Sequence, residues 1–239
     1  MDVVASALAA AVAVTLAALL LARGLLRRRA HLLAWGSALA LFAVGCLALL
    51  WGAWASWTAG VFRAYYLAGG VLCVPVLGLG TVWLLAPRLA RGLTVVVVAF
   101  AVVATPVVLK AETRQNVAPD KVPEGKKLFD PPPRRFAEFG NIAGTLLVVG
   151  GTAAAVSRAR RRRRRGESSP LDGRYVQANL LITAGVVVAA GGGLFLFLGD
   201  AASKSVPLAL AAILIFCGYL RSSPLSIERR RRPVPDRGG

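Results

Sequence analysis

Apolar positions along this 239-residue chain fall in long uninterrupted blocks, not in the one-faced stripe of a soluble helix or the alternation of a half-buried strand. Crossing ~30 Å of hydrocarbon at 1.5 Å per residue takes about 20 such residues. Seven blocks reach or approach that length: residues 3–22, 32–54, 64–86, 93–109, 139–156, 175–198 and 205–220. Lipid offers no partner to backbone polar groups, so each block is expected to be a helix. The pattern predicts an all-α, polytopic bundle of seven spans over residues 1–220, followed by an arginine-rich tail, 221–239, whose Pro- and Gly-containing end is expected to be disordered.

Composition agrees, with 56% hydrophobic residues and a mean hydropathy of +0.64, above what a soluble domain carries. The formal charge of +18 must then sit between the blocks, since an ion at the bilayer centre costs at least ~2.5 kcal/mol. Met1 and Asp2 precede the first block without a basic residue, and Arg23, Arg27, Arg28 and Arg29 follow it. That order is the reverse of a cleavable signal, so the block is expected to be retained with its N-terminus outside. Threading seven spans from there places 23–31, 87–92, 157–174 and the tail in the cytoplasm, with twenty arginines, no lysine and a balance of +16 against +2 outside. Basic residues in short loops near span ends set orientation, which predicts a cytoplasmic C-terminus.

The tract RARRRRRRG, residues 158–166, directly follows the fifth block. Arg160, Arg161, Arg162, Arg163, Arg164 and Arg165, with Arg229, Arg230, Arg231 and Arg232 in the tail, are expected to contact anionic lipid headgroups at about 1 kcal/mol each. Nucleic-acid binding would need stacking aromatics or a recognisable fold beside the run, and there is neither. The partners expected are therefore membrane lipids, and a membrane-protein partner or a second copy of the chain.

The only sizeable external loop, 110–137, contains VAPDKVPEGKKLFDPPPRRF and has too few apolar residues to build its own core. It is expected to lie as a strap, with Leu128, Phe129 and Phe136 capping the bundle or dipping into headgroups. Trp51, Trp54, Trp57, Tyr65 and Tyr66 form an outer aromatic belt, and Trp35 and Trp83 fall near the inner ends, all expected as interfacial anchors.

Candidate chemistry is sparse. Cys46, Cys73 and Cys217 show no metal or redox spacing, and the single histidine, His31, reads as an interfacial residue. No HExxH, phosphate loop or nucleophile elbow occurs, so no catalytic, metal or cofactor site is expected and an enzyme is disfavoured. No ionisable residue lies near mid-span, and the seventh block has no central lysine for a Schiff base, which discounts pumps and photoreceptors.

Irregularity concentrates in the third block, where Pro75, Gly78 and Gly80 mark a candidate kink. The fifth block begins with Gly140 and Gly144 at small-xxx-small spacing. Glu138, Asn141 and Thr145 recur on one helical face, and Arg63 and Tyr66 enter at the same depth. Arg63, Tyr66, Glu138 and Asn141 thus form a candidate outer polar cluster, with an Arg63–Glu138 ion pair expected.

The stretches FRAYYLAGGVLCVPVLGLGTVWLL and FAEFGNIAGTLLVVGGTAAAVSR resemble segments of uncharacterised multi-span membrane proteins of high-GC bacteria, in which an Arg-Tyr-Tyr-Leu helix start and a later Gly-rich helix recur. The resemblance covers about a quarter of the chain. It implies a bacterial cytoplasmic membrane and no particular activity or site. The function expected is a non-enzymatic structural or interaction subunit. The alternative is a transporter of a small neutral or weakly polar solute, because spans one to three and five to seven run in the same directions around a fourth, a 3+1+3 arrangement known among transporters. A membrane-depth cavity lined by Tyr66, Asn141, Thr145 and the Pro75 kink would favour transport, and a tightly packed bundle would favour the subunit.

Overall fold

The computed structural model describes residues 2–113, 125–166 and 170–194, and within the following stretch residues 210, 211, 213–215, 217, 218 and 221. Among these the chain is helical, with a single isolated bridge between Thr113 and Phe129. The helices are α1 (Asp2–Leu26), α2 (Ala30–Trp54), α3 (Ala59–Tyr65), a π-helical segment (Tyr66–Leu72), α4 (Cys73–Leu85), α5 (Pro87–Leu109), α6 (Gly125–Leu128), α7 (Pro131–Arg164) and α8 (Pro170–Leu194). Five stretches are long and apolar enough to cross a membrane: Ser6–Leu26, Ala30–Trp54, Ala59–Leu85, Pro87–Leu109 and Pro131–Arg164. The third runs without interruption through α3, the π segment and α4.

The helices overrun the apolar blocks, because helical hydrogen bonds propagate through polar residues once a helix is nucleated, whereas hydropathy marks only the hydrocarbon. The correction is largest at α7. The strap expected over 110–137 gives up residues 131–137 to this helix, whose start takes three prolines because the first turn needs no intrahelical donor. The arginine loop expected over 157–174 is helical as far as Arg164, where a basic last turn suits the negative end of the helix dipole. Gly166, with φ 72°, follows in the left-handed region. At 34 residues α7 is about 51 Å long, well beyond the ~30 Å of a hydrocarbon core, with a Pro-Arg segment at one end and a poly-Arg segment at the other.

The five long stretches alternate in direction and gather two chemically distinct ends. At one, Leu49, Trp57, Phe62, Val108, Leu128 and Phe129 share a buried cluster. At the other lie the turn after α1, where Arg28 adopts φ 48°, and the arginines that finish α7. Between them, Leu16, Leu20, Trp35, Leu39, Leu77 and Val148 form the central core. Helix association in lipid depends on close packing, and small residues allow it. A Cβ added to Gly36 would lie 2.8 Å from the Leu21 side chain, and Gly45 backs directly onto Gly69, so α2 sits tight against both α1 and the π segment.

The expected sixth block corresponds to α8. The described residues after 209 run antiparallel to it: Ala211 and Ile215 meet Gly185, Gly218 meets Ala178 and Ile182, and Arg221 donates to Gln177 Oε1 at 2.6 Å. Arg229, Arg230, Arg231 and Arg232 lie outside the described residues.

Two expected anchors prove to be core residues. Trp35 is 1% exposed and lies over Gly80, and Trp57 is buried over Gly52, because glycine at each facing position leaves a slot for an indole. Trp51 and Trp54 are exposed, their rings edge to face at 5.9 Å. Trp83 donates from Nε1 to Thr94 Oγ1 at 3.1 Å, tying α4 to α5.

Candidate functional site

The residues singled out in the third and fifth blocks meet where α7 crosses the π segment and α4. α7 turns a stripe of Pro133, Ala137, Gly140, Gly144, Val148, Thr152 and Ala155 inward, the spacing of one helical face. Opposite Gly140 and Gly144 the contact is backbone to backbone. A Cβ at Gly140 would lie 2.9 Å from the Val71 carbonyl oxygen, and one at Gly144 would lie 2.6 Å from the Val74 carbonyl. Gly78 returns the contact, facing the Gly144 carbonyl oxygen at 2.9 Å from its own ideal Cβ position.

The departure from α geometry precedes the kink expected at Pro75, Gly78 and Gly80. α4 is regular from Cys73 to Leu85, and the departure from α geometry occupies Tyr66–Leu72, with the Cys73 N–H bonded to the Ala68 carbonyl. A proline disturbs the turn before it, through its missing donor and its ring against the preceding carbonyls. Gly78 and Gly80 serve packing instead, under Leu147 and Trp35.

Asn141 bridges the two helices. Its Nδ2 donates to the Gly70 carbonyl at 2.7 Å and to the Ala137 carbonyl of its own helix at 2.8 Å. Tyr66 stands at the head of the π segment with its ring edge-on to Phe129 at 5.0 Å, above Gly125. Phe129 is fully buried and also stacks on Phe62 at 5.1 Å. Leu128 and Phe129 therefore cap this end of the bundle, and Phe136 packs beside Phe100 at its edge.

The expected Arg63–Glu138 ion pair is not formed among the described residues. The Arg63 guanidinium donates from Nη2 to the Ala111 carbonyl at 2.8 Å, fastening α3 to the chain that leaves α5. Glu138 follows Ala137 on α7 but is exposed, turned off the buried stripe. It and Arg134 lie within electrostatic reach of the Tyr66 hydroxyl. The four residues thus share one end of the molecule, in three separate contacts.

Toward the other end, Thr152 accepts or donates across 2.6 Å to Thr183 and donates to carbonyls of Val148 and Asn179, linking α7 to α8. Arg158 donates from Nη1 to the Leu85 carbonyl at 3.1 Å, satisfying a carbonyl that the end of α4 leaves without an intrahelical donor. Composition marks Arg158 only as the first of a run, so its capping role was invisible in the sequence.

The crossing beside Pro75 is closed by glycine faces on both helices, Gly78 on α4 and Gly140 and Gly144 on α7. An open groove of about 380 Å³ lies instead beyond the end of α5, lined by Pro106, Lys110, Glu112, Asp130 and Pro132 among others. Among the described residues no group of three His, Cys, Asp or Glu side chains is placed to hold a metal. No family model matches the chain, and no curated protein or solved structure matches it either.

Proposed function

We propose that this protein is a non-enzymatic structural or interaction subunit of a bacterial cytoplasmic membrane, with seven spans, its N-terminus outside and its arginine-rich end against the anionic cytoplasmic leaflet. The observation that carries this reading is the closed crossing of α4 and α7, where Gly78, Gly140 and Gly144 bring backbones together at the depth a solute would have to pass. Asn141 spends its amide on Gly70 and Ala137, in the helix-bridging use typical of intramembrane amides. The arginine end adds a second support, since a helix projecting beyond the hydrocarbon and ending in the run Arg160 to Arg164, with Arg165 as its cap, presents its charges at headgroup level.

Purification in mild detergent, followed by mass spectrometry of what co-purifies and by mass measurement of the intact particle, tests the reading. A stoichiometric membrane-protein partner or a defined homo-oligomer is expected. A solitary monomer that carries a small neutral solute into proteoliposomes would replace this reading with transport.

A further inference from the structure

The π segment Tyr66–Leu72 is a seven-residue stretch of a geometry usually confined to single-turn bulges, which often mark functional sites. Its stability has an identifiable source. Pro75 has no N–H, so whichever register the chain takes, one carbonyl before it loses a donor: Gly70 in the i→i−5 pattern, Val71 in the i→i−4 pattern. Asn141 Nδ2 donates to Gly70 at 2.7 Å, reaching the carbonyl that an i→i−5 register carried on from Cys73 to Pro75 would leave without a donor. The Val71 carbonyl faces the bare Cα of Gly140. A contact from a different helix thus falls on the carbonyl that distinguishes the two registers.

Two features make this choice reversible. The Asn141 amide also donates to Ala137 on its own helix, so it keeps a partner if it releases Gly70. Gly69 meets Gly45 with no side chain on either, so no side chain interlocks the segment with α2 at this point.

We propose that Tyr66–Leu72 is a register switch latched by Asn141. When the amide lets go of Gly70, the segment returns to α geometry. α3 then turns by about one residue, ~100°, and shifts ~1.5 Å relative to α4. That motion carries Phe62 and Tyr66 away from Phe129 and uncaps the aromatic end, which both rings now close at 5.1 and 5.0 Å. The inference stands apart from the subunit reading, giving the bundle two arrangements whatever it binds.

The test uses the full chain in lipid nanodiscs, with Cys46, Cys73 and Cys217 replaced and nitroxide labels at Ala64 and Arg135 for pulsed EPR distances. The parent should give one narrow distance. Asn141→Leu should add a second population shifted by several ångströms, up to about 8 Å, the sweep of a side chain ~5–6 Å from the axis turned through one residue. Pro75→Ala restores an N–H, allows α geometry with no orphaned carbonyl, and should produce the same second population with Asn141 still present. A reference pair at Leu47 and Arg135, which does not span the π segment, should stay single in both variants. An unchanged distance between 64 and 135 in both variants would overturn the switch, as would equal broadening of the reference pair, the sign of general loosening. If Asn141→Leu does not fold, Pro75→Ala decides alone.

Discussion

Gly144 and Gly150 sit on one helix and test whether backbone contact, not glycine content, holds the crossing together. A Cβ at Gly144 would meet the Val74 carbonyl at 2.6 Å, a backbone group that cannot swing aside, whereas nothing lies within 4 Å of the same position at Gly150. Gly144→Ala is expected to destabilise by about 1–3 kcal/mol through overpacking. Gly150→Ala is expected to be neutral, or to gain up to ~1 kcal/mol from helix propensity. Reversible unfolding by SDS titration reads both, and equal losses would mean that the close approach does not carry the packing. The small-xxx-small spacing of Gly140 and Gly144 was legible in the sequence, as was Asn141 as a member of an outer polar cluster. The acceptor of its amide was not, because which backbone carbonyl stands opposite depends on how two distant helices cross, which composition does not record. The Arg63–Glu138 pair failed for a related reason: matching hydropathy fixes depth along a helix but not the direction a residue faces, and Glu138 turns off the buried stripe while Arg63 reaches Ala111.

Among the elements, α7 departs furthest from its apolar block and makes contacts at both ends of the bundle. Its start follows directly on the Leu128–Phe129 cap, its middle crosses α4, and Arg158 closes the end of α4 before the arginine run begins. These segments separate roles that charge alone merges. Replacing Arg160 to Arg165 with lysine should leave insertion and orientation nearly unchanged, since attraction to anionic lipid follows charge, and replacing them with glutamine should loosen both. Arg158→Gln, by contrast, removes one hydrogen bond from an exposed residue and should cost at most about 1 kcal/mol of stability while leaving orientation intact. Membrane-fraction yield and protease accessibility read the first pair of variants, and SDS titration the second. A lysine version that misinserts would show that guanidinium geometry, not charge, matters there. Truncating the cap by Phe129→Ala should be the costliest of these changes, about 3 kcal/mol, because it empties a fully buried aromatic site between Phe62 and Tyr66. A loss under ~1 kcal/mol would show that the strap merely rests on the bundle.

For the whole molecule, the two ends differ enough in chemistry to make orientation a consequence of charge placement. One end carries a buried aromatic cap and a mixture of Arg63, Lys110, Arg134 and Arg135 with Glu112, Asp130 and Glu138. The other gathers Arg23, Arg27, Arg28, Arg29, Arg88, Arg91 and the α7 run with few acids among them. The helix order supports the assignment of these residues to opposite ends, because Arg158 meets Leu85 while Arg63 meets Ala111, each contact joining residues that an alternating thread puts on one side. Excess arginine near span ends is retained in the cytoplasm, so the arginine end is expected to face inward and the aromatic cap outward. Single cysteines at Ser168 and Glu124, in a background lacking Cys46, Cys73 and Cys217, decide the matter with a membrane-impermeant thiol reagent. Only position 124 should label in intact cells, and position 168 should label once the membrane is permeabilised. Labelling of 168 in intact cells would invert the bundle and put the arginines against the outer leaflet. Labelling of both positions would mean that α7 does not put residues 124 and 168 on opposite sides of the membrane, and the alternating thread itself would have to be redrawn.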